Sequence, residues 1–134
     1  MTQYRISEAA ELLGVSDDTV RRWVDAGRMD AAVDAVGRLA IEGAQLAAFA
    51  VEQASSPTDP SHVGRSARNR FVGIVTAITM DTVMAQVEVQ CGPYRVVSLM
   101  SSEAVRELRL EVGSLSVAVI KATNVIIETP GRRA

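Results

Sequence analysis

The hydrophobic period of this sequence changes across a single break, and that change limits what the chain can fold into. The break is Ala54-Ser55-Ser56-Pro57-Thr58-Asp59-Pro60-Ser61-His62, which holds two of the four prolines and no large apolar residue. Such a stretch buries too little surface to offset its ordering entropy, so residues 54–64 are expected to be a mobile linker. Before the break apolar residues recur at helical spacing, and after it they alternate. The expectation is an α+β chain with two modules, residues 1–53 and 65–130. At 134 residues with only 4% aromatics, each core must be small and built from Ala, Val, Ile and Leu. Small cores of this kind call for assembly, so a homodimer or higher oligomer is expected.

One Cys and one His exclude an internal disulfide, a Cys-rich zinc cage and His-paired metal sites. No metal held directly by side chains is expected. No apolar run approaches the roughly 18 residues a bilayer span requires, and no charged-then-apolar leader opens the sequence. A cytoplasmic protein without membrane contact is the expectation. Cys91 before Gly92-Pro93 reads as a turn residue, and His62 in the linker as inert.

In the first module, Ser7 is positioned to cap a helix over Glu8–Leu13, and Gly14 supplies the backbone of a tight turn. Ser16 is a second N-cap, with Asp17 and Asp18 in the first turn and Val15 and Val20 as a hydrophobic staple. Val20, Trp23 and Val24 line one face, so Trp23 is read as core, and Gly27 ends the helix. Ala31–Ile41 reads as a hairpin around Ala35-Val36-Gly37, and Leu46, Phe49 and Ala50 mark a closing helix. Helix, turn, capped helix, hairpin and helix describe a winged helix-turn-helix.

The runs Tyr4–Ser16 and Thr19–Met29 resemble the MerR and excisionase-like DNA-binding domains, in their order of Ala-Ala, Leu-Gly-Val-Ser, Thr-Val-Arg and Gly-Arg. The resemblance implies a second helix in the major groove of double-stranded DNA and a wing on the flanking backbone. Ser16, Asp17, Thr19 and Arg21, at the start of that helix, are candidate base readers. Arg22, Arg28 and Arg38 of the wing are candidate phosphate contacts. Charge cuts against this reading, because residues 1–53 carry five Arg against nine Asp and Glu. Four of those five arginines nevertheless lie on the second helix or after it, so the local field can be positive.

In the second module, Phe71–Met80 is β-branched, Val83, Ala85, Val87 and Val89 alternate with polar residues and Met84, and Tyr94–Leu99 returns as a strand. Ser101–Leu108 reads as a short helix, Leu115–Val119 alternates, and Asn124–Glu128 reads as a last strand. Five strands and one short helix predict an OB-like Greek-key barrel.

Ser66-Ala67-Arg68-Asn69-Arg70-Phe71-Val72-Gly73, then Met100-Ser101-Ser102-Glu103-Ala104, then Val119-Ile120-Lys121-Ala122-Thr123 resemble the motifs of molybdate-binding TOBE (molbindin, Mop) domains, in order, over residues 65–128. Molybdate, like tungstate, is a tetrahedral dianion with acceptor oxygens only, so a selective pocket offers donors and positive charge. By resemblance, Ser66 and Arg68 take ligand positions, as do Lys121, Ala122 and Thr123. Ser101 stands where the family has Thr, and Ala104 where it has Ser. Lys121 is the only lysine in the chain. Asn69 reads as a turn residue bonded to its own backbone rather than a ligand. In the family such sites lie between subunits.

No nucleophile–base pair, Gly-rich phosphate loop or carboxylate pair stands out, so the expectation is a binding protein and not an enzyme. Two functions follow: a molybdate-responsive transcriptional regulator, or a molybdenum storage protein whose first module serves assembly.

Overall fold

The computed structural model describes residues 2–55, 57–61 and 68–130. They fall into two compact units, Met1–Ser55 and Ser56–Ala134.

The first unit runs β1 (Gln3–Arg5), α1 (Ile6–Leu13), α2 (Asp17–Asp25), β2 (Ala32–Val33), β3 (Leu39–Glu42) and α3 (Gly43–Gln53). Gly14 closes α1 in the left-handed region at φ 69°, where its missing Cβ avoids strain. Ser16 then caps α2, its hydroxyl accepting from the Thr19 N–H at 3.2 Å. Helix α1 starts two residues earlier than Ser7 would allow. The Glu8 carboxylate accepts the Arg5 N–H at 3.0 Å, so Arg5 is the cap, and Ile6 enters the core. The hairpin of β2 and β3 forms as expected, and β1 adds a third strand on the far side of β3. Val20, Met29 and Ile41 are the best-buried large residues, joined by Ile6, Ala9, Ala10, Leu46 and Phe49. Trp23 packs on this cluster, its ring 5.0 Å from that of Phe49.

The second unit contains β4 (Asn69–Met80), β5 (Met84–Cys91), β6 (Tyr94–Ser101), α4 (Ser102–Glu107) and β7 (Leu115–Ile120), then a 3₁₀ turn over Ala122–Asn124. The sheet is antiparallel in the order β6-β5-β4-β7. Strand β4 changes partner along its length: Asn69–Ile74 pair with β7, and Ile74–Met80 pair with β5 across a bulge after Val75. Gly73 sits at the change of partner, where an added Cβ would lie 2.4 Å from the Gln90 carbonyl oxygen. The result is a curled half-barrel.

Two expectations are corrected here. Asn124–Glu128 forms no strand in the chain; it continues from the 3₁₀ turn as irregular backbone, with Ile126 and Ile127 more than 80% exposed. The sheet therefore has four strands among the described residues, and a β-prone sequence alone supplied no ladder partner. Cys91 is not in the turn. It is the last residue of β5, faces the core with Ala85, Val87 and Val89, and its burial pushes the thiol pKa up. The turn itself is Gly92-Pro93, with Gly92 at φ 59°.

The half-barrel leaves an apolar hollow of about 720 Å³ between β6 and β7, lined by Val97, Leu99, Leu108, Leu115 and Val119 among others. Each of these five side chains is exposed. No helix among the described residues is long and apolar enough to cross a membrane.

Candidate functional site

The antiparallel register pairs Asn69 with Ile120. Arg68 immediately precedes Asn69 and Lys121 immediately follows Ile120, so both cations lie next to the terminal rung of the β4–β7 ladder. Both are exposed. Asn69 ties this rung: its side-chain amide donates to the Ile120 carbonyl at 3.1 Å. The expected turn role of Asn69 is thus corrected to that of a cross-strand tie at the start of β4. Lys121 heads the 3₁₀ turn, and its carbonyl accepts the Asn124 N–H at 2.9 Å. Ala122 and Thr123 follow in that turn, both exposed. Ser66, with His62, lies outside the described residues.

Ser101 lies elsewhere. It closes β6 opposite Met84, beside the Met80 end of β4, while Arg68 precedes the Asn69 end. The eleven steps of β4 between those ends correspond to a strand contour of about 35 Å. One chain therefore does not bring Ser101 to Arg68 and Lys121. The Ser101 hydroxyl caps α4, accepting the Ala104 N–H at 3.1 Å, which leaves its own proton free to be donated. The neighbouring Ser102 is fully buried, its hydroxyl donating to the Asp81 carbonyl at 2.7 Å. Asp81 in turn accepts the Met84 and Val83 N–H groups, which hold its pKa below the usual value. This lock on the β4–β5 turn escaped sequence reasoning, since it joins residues 21 positions apart.

In the first unit the candidate DNA residues gather on α2 and the hairpin. The Ser16 and Thr19 hydroxyls are 2.9 Å apart, and the Arg22 guanidinium donates to Thr19 Oγ1 at 3.3 Å. Asp17 is half-buried in the same first turn. Arg21 is exposed and meets Asp18 at 3.4 Å, a pair that solvent screens heavily. Arg28 lies over the Phe49 ring, 5.4 Å from its centroid. Arg38 is exposed on the hairpin, where its N–H donates to Asp34 and, with the Val36 N–H, holds that carboxyl below its ordinary pKa.

The TOBE domain model matches residues 65–127. A probable molybdenum-pterin-binding protein of Haemophilus influenzae is 44% identical over 63 residues, which are 46% of this chain and 91% of that protein. The chain belongs to the TOBE-domain family. In front of the TOBE domain, the helix-turn-helix domain model matches residues 4–54. The molybdenum transport protein ModE of Herbaspirillum seropedicae is 38% identical over 65 residues, 48% of this chain and 24% of that protein. The chain thus spans about a quarter of that relative's length. Among solved structures, the cytoplasmic molybdate-binding protein ModG, with molybdate bound, superposes at a TM-score of 0.50. It is 40% identical, over 55% of this chain and 52% of ModG.

Proposed function

We propose that this TOBE-family chain is a molybdate-responsive DNA-binding regulator. The TOBE module would bind a tetrahedral oxyanion, and the helix-turn-helix would read double-stranded DNA. The observation that carries the reading is the placement of Arg68 and Lys121 next to the Asn69–Ile120 rung of β4 and β7, which the Asn69 side chain ties. It provides positive charge and donors without a carboxylate among the candidate ligands, as a dianion without protons requires. Arg68 and Lys121 would hold the anion's charge, and the hydroxyls of Ser66, Ser101 and Thr123 with the backbone of Ala122 would complete the donor set.

Because Ser101 is at the other end of the ladder in its own chain, the site is read as shared. Arg68 and Lys121 would come from one copy and Ser101 from a second. The exposed apolar hollow supports the same homodimer or larger assembly, since a second copy is the natural cover for so many exposed aliphatic side chains. On DNA, Ser16, Asp17, Thr19 and Arg21 would meet base edges, and Arg22, Arg28 and Arg38 would meet phosphates.

Calorimetric titration with sodium molybdate tests the first half. Binding is expected, and Lys121→Ala should weaken it about 10- to 100-fold, the value of one or two charge-assisted hydrogen bonds. Gel shifts with and without molybdate, at two salt concentrations, test the second. Salt-sensitive binding that molybdate alters supports regulation. Molybdate binding with no DNA affinity points instead to storage.

A further inference from the structure

The stretch that composition marks as a linker is attached to the second unit. Asp59 accepts the Arg70 Nε–H at 2.8 Å and the second guanidinium nitrogen at 3.5 Å. The same carboxylate accepts the Ser61 N–H at 2.9 Å and a short bond from the Ser61 hydroxyl. Arg70 also donates to Ser61 Oγ, so the three residues close a ring of hydrogen bonds. This ion pair differs in kind from the exposed ones. Its side chains are 19% and 33% accessible for Arg70 and Asp59, against 56% and 86% for Arg21 and Asp18. Exposed pairs contribute little because water screens them and long side chains must be ordered. Here the fork of Arg70 is already fixed on a strand and meets the carboxylate with two of its nitrogens. Arg70 is also two residues beyond Arg68 and next to Asn69, on the strand that starts at the candidate anion site.

We propose that Asp59, Ser61 and Arg70 form a clip that docks the tether of the helix-turn-helix domain onto the oxyanion-bearing strand, so that anion occupancy is transmitted to residues 59–61. The proposal rests on the oxyanion reading above for its second half only. A loose tether transmits orientation poorly, and docking shortens the loose part. With residues 54–64 all free, the root-mean-square span of the tether would be about 18 Å. With only residues 54–58 free it falls to about 12 Å, and the volume open to the helix-turn-helix shrinks about threefold. The docking owes nothing to apolar burial, so hydropathy gave no sign of it.

Backbone ¹⁵N relaxation on the full chain, before and after sodium molybdate, tests the clip. Residues 59 and 61 should be as ordered as β4, and the Ser61 amide should shift as molybdate is added. Asp59→Asn and Arg70→Gln should release residues 59–61 and abolish the Ser61 response, with molybdate affinity unchanged within twofold. The charge-swapped pair Asp59→Arg with Arg70→Asp should restore order. Wild-type residues 59–61 as mobile as residues 54–55 would overturn the docking. A Ser61 amide that stays still while the amides near Lys121 shift would overturn the transmission. If no amide shifts at all, the oxyanion reading itself fails and the transmission falls with it, while the relaxation data still decide the docking.

Discussion

The two units solve the small-core problem differently. The helix-turn-helix unit closes on itself: three helices and a three-stranded sheet bury Val20, Met29 and Ile41 almost completely. The TOBE unit leaves a hollow ringed by exposed Leu99, Leu108 and Leu115, and its candidate anion donors stand at opposite ends of β4. The first closes its core within a single copy. On the proposed reading the second is half of an assembly, in its packing and in its chemistry alike. On this account assembly and anion binding are one event, and the DNA-reading unit is attached to it through the clip.

The largest expected effect tests the self-sufficiency of the first unit. Ile41→Ala deletes a fully buried side chain and should cost about 2–5 kcal/mol. Thermal unfolding followed by Trp23 fluorescence should show the first unit melting earlier, and scanning calorimetry should show the second unit's transition in place. A shared shift of both transitions would break the contrast between the units. Next comes the hollow. Leu99→Ser with Leu115→Ser removes apolar surface that is 72% and 62% exposed in the single chain. Each leucine is worth about 1.5–3 kcal/mol if a second copy buries it. Sedimentation should show self-association weakened at least tenfold while far-ultraviolet dichroism is preserved. Unchanged association would mean that the hollow is not the contact.

A smaller effect is expected at Ser16. Removing its cap with Ser16→Ala should lower the stability of the first unit by about 1 kcal/mol, read from the same Trp23 transition. The smallest is a local response to acid at the clip. The Ser61 hydroxyl first, then the Ser61 N–H and Arg70, hold the Asp59 pKa at about 2. A depressed carboxylate pKa stabilises the docked form above the ordinary value of 3.8 and loses that contribution as pH falls through about 2. The Ser61 amide signal should therefore stay at its docked position at pH 5 and move only below about pH 4. Movement at pH 5 would contradict the geometry.

Much of this architecture was legible because it is local. Ser16 and Gly14 announce the turn between α1 and α2 within a few residues, and Trp23 and Phe49 fall at core spacing. The alternation of Ala85, Val87 and Val89 marks β5. What stayed hidden depends on distant partners. Strand β1 is three residues long and exists because Ala40–Ile41-Glu42 offers it an edge. Asn69 finds Ile120 across 51 positions, a contact that its local turn propensity does not reveal. Asn124–Glu128 shows the converse: Val125, Ile126 and Ile127 favour a strand, and none of the described strands pairs with them. The candidate anion residues were legible through the TOBE motifs. Their division between the two ends of β4 appeared only with the register.

Mixing two variants that each lack one half of the proposed site tests the central claim most directly. Lys121→Ala removes the lysine, while Ser101→Asp keeps a residue able to cap α4 and places a carboxylate where the anion should sit. Each variant alone should bind molybdate at least tenfold more weakly than the wild type by calorimetry. After unfolding and refolding together, mixed pairs regain one site built from the intact Lys121 of one copy and the intact Ser101 of the other. The account predicts recovery of about one quarter of wild-type sites in an equal, random mixture of dimers. No recovery, with mixed pairs shown to form, would mean that each chain holds its own site and would contradict it.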